Sequence, residues 1–180
     1  MSSRRSLILG TAALLGGCGF QPVYGPGGER RADASLSFEP VLLDAMASVR
    51  VGPIGERNGQ LLRRELQRQL EDRRPGSQAR YDLAVSYSTA TEILGYRRDG
   101  TITRVRFVAT ANWILATASI PPEVVDRGSA RTLDAFNIPD LQFFAADASR
   151  EDMERRLIAE LSDRVVLGVS VALRRRLATA

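Results

Sequence analysis

Tyr81-Asp82-Leu83-Ala84-Val85-Ser86-Tyr87-Ser88, then Arg98-Asp99-Gly100, then Arg104-Val105-Arg106-Phe107-Val108-Ala109-Thr110-Ala111-Asn112-Trp113-Ile114-Leu115 is the stretch whose reading decides the fold. In the first segment Tyr81, Leu83, Val85 and Tyr87 alternate with Asp82, Ala84, Ser86 and Ser88. A period of two is the mark of a half-buried strand, and the pattern extends toward Tyr96. Asp99-Gly100 predicts a two-residue hairpin turn with positive φ values. In the return strand Val105, Phe107, Ala109, Ala111, Trp113 and Leu115 form one face and read as core. Arg104, Arg106, Val108, Thr110, Asn112 and Ile114 form the other, which is polar near the hairpin and mixed further on.

Outward from this hairpin the periodicity changes. Before it, Leu62, Leu66 and Leu70 recur at i+4, which predicts a helix from Asn58 to Arg73, opened near Gly55 and Asn58 and stopped by Pro75-Gly76. Ala47 to Ile54 alternates enough for a short strand that Pro53 confines to an edge or an end. After the hairpin, Ile120-Pro121-Pro122 through Gly128 reads as a connection. Ala130 to Ile138 reads as a fourth strand with Leu133 and Phe136 facing in. A helix is expected from about Ala145 to Leu177, its start marked by Ser149 and Asp152 in a weak relative of the capping box. Met153, Leu157, Ile158, Leu161, Val165, Val169, Ala172 and Leu173 trace its apolar stripe. Val165 to Leu173 is apolar nearly all round and is expected to be the more enclosed half. Arg174-Arg175-Arg176 suits the negative end of the helix dipole.

The order is therefore β-α-β-β-β-α. It predicts an α+β fold, a two-layer sandwich with two helices packed on one face of a four-stranded mixed sheet. The other sheet face is left uncovered and carries arginines around the hairpin.

The amino-terminal end is of another kind. Ser2-Ser3-Arg4-Arg5-Ser6 is a basic start, and Leu7 to Leu15 is an apolar run too short for a membrane span. Leu15-Gly16-Gly17-Cys18 then resembles the bacterial lipobox, in which the thiol takes a diacylglyceryl group and the leader is cut before the cysteine. Several chains are needed for firm anchoring, because each buried CH₂ contributes about 0.8 kcal/mol. The chain divides into a lipoprotein signal peptide (1–17), a lipidated arm (18–45) and an α/β domain (46–180). Pro22, Pro26, Pro40, Gly25, Gly27 and Gly28 make the arm irregular rather than helical. Gly19 after the cysteine, in place of an acidic residue, favours the outer membrane.

Composition excludes whole classes of chemistry. All 25 basic residues are arginine, and there is no histidine and one cysteine. No Ser-His-Asp device, histidine metal site, thiolate zinc site or internal disulfide can be built from such a set. The acidic residues lie mostly on predicted helices among arginines, as solvated faces do. Without Arg4 and Arg5 the mature part carries 23 basic and 21 acidic side chains, a net of +2. That is too little for a nucleic-acid stripe. No enzyme activity, cofactor or metal is expected.

Gly17-Cys18-Gly19-Phe20-Gln21-Pro22-Val23-Tyr24-Gly25 resembles the opening CGF-x-P-L/V-YG of the LptE family. Arg98-Asp99-Gly100, Thr103-Arg104-Val105-Arg106 and the final helix after Phe143-Phe144 extend the resemblance over nearly all of the mature chain. It implies a lipoprotein of the Gram-negative cell outer membrane. It implies a place inside the large β-barrel LptD, as its plug and assembly partner in lipopolysaccharide transport, with lipopolysaccharide as a second partner. Arginine pairs phosphate bidentately, so Arg97, Arg98, Arg104 and Arg106 are candidates to meet either lipid A phosphates or acidic barrel walls. The alternative from another class is a free, periplasm-facing lipid-binding or chaperone lipoprotein, which needs an apolar groove between its layers.

Cys18→Ala should leave the leader uncut by the lipoprotein peptidase and the product unlipidated, as read by its mass and electrophoretic mobility. A normally lipidated mature protein from that variant excludes the assignment.

Overall fold

A computed structural model describes residues 40–139 and 143–179, with side chains from Phe144 onward in the second segment. Cys18, the signal peptide and the arm up to residue 39 lie outside the described residues. A helix, α1, occupies residues 40–47. It leads into β1 (Val49–Val51), α2 (Arg57–Gln69), β2 (Tyr81–Tyr96), β3 (Ile102–Thr117), β4 (Val124–Asn137) and α3 (Phe143–Thr179). The four strands form one mixed sheet in the order β1-β2-β3-β4. β1 runs parallel to β2, and the other pairs are antiparallel. From β1 onward the α+β order is the one expected from the sequence, with α1 preceding it.

The core is the face on which the periods of 2 and 3.6 meet. Leu83, Val85, Ala109, Ala111, Trp113 and Leu115 of the sheet are buried against Leu62 and Leu66 of α2 and Leu70 just after it. Met153, Leu157, Leu161, Val165, Val169 and Leu173 complete the layer from α3. The space between the layers is thus filled with packed side chains. Gln69 bridges the two long helices, donating to Ser162 Oγ at 3.0 Å and Asp163 Oδ1 at 2.7 Å.

Trp113 shows how tightly the layers meet. A Cβ on Gly128 of β4 would lie 2.5 Å from the indole Cζ2, and one on Gly168 of α3 would lie 2.8 Å from the same atom. Both positions are closed to any side chain unless the ring shifts, so the two glycines are the walls of the indole site.

Several expectations are corrected. The arm is not irregular to Ala45: residues 40–47 are helical, and Leu42, Ala45 and Met46 are buried at i, i+3 and i+4. The Pro/Gly count over the whole arm conceals this stripe. α2 ends at Gln69, and Glu71–Arg73 forms a separate 3-10 turn. Neither Gly55 nor Asn58 caps α2; Glu56, at φ 64, is its N-cap without a side-chain hydrogen bond. Ser149 lies inside α3 rather than at its start. Leu133 is 56% exposed, while Ala130 and Thr132 face the core. Its partner is Val108, on the uncovered face of β3, and pairing carries Leu133 to that same face. Leu167 is 65% exposed, so the second half of α3 is not enclosed on all sides. The sheet and α2 cover only part of its circumference.

The turn differs as well. Gly100 N–H donates to Arg97 O at 3.0 Å and Arg97 N–H to Thr101 O at 2.8 Å. This closes a three-residue loop of Arg98, Asp99 and Gly100, and Gly100 alone of the three has positive φ, at 86°. A type I turn followed by a left-handed glycine gives this loop, whereas a two-residue type I′ turn would require positive φ at Asp99 too.

Gly128→Ala should cost about 1–3 kcal/mol by overpacking the indole, and Trp113→Ala about 3–5 kcal/mol by emptying the site. Urea unfolding of the mature chain checks both. If Gly128→Ala has wild-type stability, the indole is not held as described.

Candidate functional site: the arginine face of the hairpin

The helices cover one face of the sheet, and the site is built on the other. Pairing sets side by side the rows Glu92–Arg106–Ala135, Ala90–Val108–Leu133, Ser88–Thr110–Arg131, Ser86–Asn112–Ser129 and Ala84–Ile114–Arg127. Short side chains dominate β2, so little stands above the backbone there. Arg104 lies one step beyond Arg106, opposite Gly95 and Asn137. Leu94 has no partner on β3 and makes a bulge, which brings Gly95 opposite Arg104.

The four predicted arginines are not equivalent. Arg104 and Arg106 share the uncovered face. Arg106 Nη1 pairs with Glu92 Oε2 at 3.1 Å, with both side chains well exposed, so solvent screens the pair and it contributes little stability. Arg104 is exposed, and no ion pair engages it among the described residues. Arg97 instead closes the hairpin loop, and Arg98 lies within it. Arg97 Nη2 donates to Ile138 O at 3.2 Å, and Ile138 N–H donates to Thr103 O at 2.8 Å. These bonds tie the hairpin to the chain leaving β4. Arg98 is exposed at the tip.

Two cations of this face were missed in the sequence. Arg127 and Arg131 of β4 are exposed on the same side as Arg104 and Arg106. The signal was the alternation of Arg127, Ser129, Arg131 and Leu133, but reading Leu133 as core turned the strand over, and reading the chain through Gly128 as a connection left Arg127 outside a strand that begins at Val124. Between Arg106 and Arg131 lies the apolar row of Ala90, Val108 and Leu133, in which Val108 is buried. The face thus combines guanidinium groups with a narrow apolar band.

Charged groups of α3 flank the β4 end of the sheet. Arg164 of α3 donates to Arg131 O at 3.0 Å and to Glu160 Oε1 at 2.6 Å. The Thr132 hydroxyl, and after it Arg164, hold the Glu160 carboxyl below its ordinary range. Arg156 reaches Asp134 at 2.9 Å. Burial raises the Tyr87 phenol, with the Asn58 side chain opposing the shift.

Fold and face together define a two-layer α+β module with one sheet face packed under helices and the other arginine-bearing and without a covering helix among the described residues. A family model described as LptE, lipopolysaccharide-assembly, matches residues 46–167, well over half of the chain. The chain belongs to the LptE family. No curated protein matches its sequence. Solved structures share the fold. A putative lipoprotein from Caulobacter crescentus superposes with a TM-score of 0.57 at 22% identity, over 73% of this chain and 95% of that one. Rare lipoprotein B from Shewanella oneidensis gives 0.51 at 11% identity, over 72% and 98%. An uncharacterized lipoprotein B from Nitrosomonas europaea gives 0.52 at 15% identity, over 68% and 81%.

Asp99 Oδ1 accepts the Thr101 N–H at 3.0 Å. That backbone bond first, and the Thr101 hydroxyl next, hold its carboxyl below the ordinary range. A depressed folded value means that this contribution to the turn is present above the ordinary carboxyl range and is lost as pH falls through the depressed value. In an NMR titration Asp99 should therefore have a midpoint below that of an unfolded reference peptide. Asp99→Asn should remove the acid-range shift of the Thr101 amide. A midpoint at or above the reference contradicts the bond.

Proposed function

We propose that this chain is an outer-membrane lipoprotein, anchored through lipid on Cys18. It acts as plug and assembly partner of an LptD-type β-barrel in lipopolysaccharide transport to the cell surface. The observation that carries the reading, beyond family membership, is the uncovered sheet face. Arg104, Arg106, Arg127 and Arg131 stand on it beside the apolar row of Ala90, Val108 and Leu133. A protein seated in a polar lumen needs polar side chains outside its core and no catalytic pocket. Guanidinium groups next to short apolar side chains also suit an anionic amphiphile, whose phosphates they pair bidentately. Lipopolysaccharide is such a molecule. Arg98 and Arg104 are the best placed of the four original candidates for this contact, since Arg106 already holds Glu92 and Arg97 the Ile138 carbonyl.

Among the described residues no helix is long and apolar enough to cross a membrane. The membrane link in this proposal therefore rests on Cys18. A free lipid carrier is the weaker alternative, because a carrier needs an apolar groove between its layers, and packed side chains from Met153 to Leu173 fill that space.

Native extraction of the tagged full-length lipoprotein should recover a much larger outer-membrane barrel. Recovery of the chain alone sinks the reading. Arg104→Glu combined with Arg106→Glu should weaken both barrel recovery and lipopolysaccharide binding while leaving the unfolding midpoint near wild type. If barrel recovery and lipopolysaccharide binding both survive, the arginine face is not the contact.

A further inference from the structure

The sheet has two edges, and they are treated differently. β1 covers the outer edge of β2 only at Tyr81–Leu83, and Gly52 N–H adds one last bond to Leu83 O at 2.9 Å. β1's own outer groups are occupied: Val51 N–H donates to Glu71 Oε1 at 2.8 Å, and Arg63 Nε to Val51 O at 3.3 Å. Beyond Leu83 no strand covers the edge of β2 among the described residues. Successive residues of a strand aim their backbone groups to opposite sides in the sheet plane. Ala118 N–H donates to Arg80 O, so even residues of β2 face β3. The bond to Leu83 shows that odd residues face the edge. The N–H and C=O groups of Val85, Tyr87, Thr89 and Thr91 therefore point outward, and no partner closes on them among the described residues.

Edges left bare are normally defended by charge, proline or a covering element. β4 is defended: it carries Asp126, Arg127, Arg131 and Asp134, and Arg164 occupies its Arg131 carbonyl. From Val85 to Ile93, β2 has no proline and a single charge, Glu92, already paired with Arg106. Val85, Thr89, Thr91 and Ile93 are β-branched, which favours strand pairing. The open groups are alternating donors and acceptors along a straight line. That is the chemistry of an extended polypeptide, and a lipid or a sugar cannot match it.

We propose that the edge of β2 from Val85 to Thr91 is a β-augmentation site, occupied by an extended segment of the barrel partner that adds a fifth strand to the sheet. This rests on the barrel reading above and names the contact within it. The edge is continuous with the arginine hairpin, through exposed Ile93, Leu94 and Tyr96, so one partner can engage both. In a lumen that excludes bulk water, unpaired backbone groups are costly, which makes a strand there worth more than in solution. A second copy of the chain fits poorly. A two-fold register centred on Thr89 sets the copy's Ile93 opposite Val85, and its hairpin then runs into the space held by β1. Sliding outward to clear β1 brings the Leu94 bulge into the new ladder.

Proline distinguishes the edge from the interior. The Thr89 N–H faces outward, so Thr89→Pro removes a donor the fold does not use and places the ring where an added strand would lie. Ala90→Pro removes a donor aimed at β3 and should lower the unfolding midpoint. Thr89→Pro should leave that midpoint close to wild type and reduce barrel recovered with the tagged full-length lipoprotein about tenfold or more. In the wild-type complex, amide exchange at Val85, Tyr87, Thr89 and Thr91 should be slow, and in the isolated mature chain fast. Undiminished barrel recovery with Thr89→Pro overturns the edge proposal and leaves the plug reading standing. Failure of the wild-type chain to recover any barrel overturns both. Slow exchange at these four amides in the isolated chain, or a dimer in sedimentation that Thr89→Pro dissolves, also overturns it, since the edge is then filled without the partner.

Discussion

The contact of the Trp113 indole with Gly128 and Gly168 fixes the spacing of the two layers. β3 supplies the ring, β4 one glycine wall and α3 the other. A side chain on either glycine would push the long helix away from the sheet or the ring out of the core. Because α3 is 37 residues long, a displacement at Gly168 would be carried to Met153 at one end and Leu173 at the other. The apolar burial of the whole helical layer is therefore conditional on two missing side chains. Individual ion pairs matter less. Arg176 meets Glu123 with two bonds, at 3.0 and 2.9 Å, yet both groups are exposed and the pair is screened.

Fixing the helices on one face leaves the other face free, and the sheet uses it differently along its length. β2 contributes alanine and serine, β3 and β4 contribute arginine, and Val108 and Leu133 form an apolar band between the cations. A surface of this kind is poorly suited to chemistry on a small substrate, because nothing converges. It suits contact with something large, flat or long. Membership of the LptE family gives that surface its context, lipopolysaccharide assembly.

Much of this was legible in local pattern. The alternation of Leu83, Val85 and Tyr87, the β3 core set through Trp113 and Leu115, and the α3 stripe from Met153 to Leu173 all bury as read, because each depends only on a repeat matching its own element. The errors fall where pattern is short or mixed. β4 alternates weakly, so Leu133 drew the reading to the wrong face; Thr132 and Ala130 are the inward residues. Residues 40–47 were masked by the proline and glycine around them. Arg131 was lost as a face residue for the same reason as Leu133, and Arg127 because the reading began this strand at Ala130 whereas β4 begins at Val124.

The sequence by itself determined the element order from β1 onward, the faces of β2 and β3, the apolar stripes of the two long helices and the family resemblance. Each is a property of neighbouring residues and of the period of their side chains. Only the tertiary structure decided that Arg104, Arg106, Arg127 and Arg131 share one surface. The same holds for the glycine walls of Trp113, and for β1 stopping early enough to leave the outer edge of β2 beyond Leu83 without a partner strand among the described residues. Those features depend on strand register and on which elements end beside one another, and residues far apart in the chain meet only after the sheet has closed its ladder.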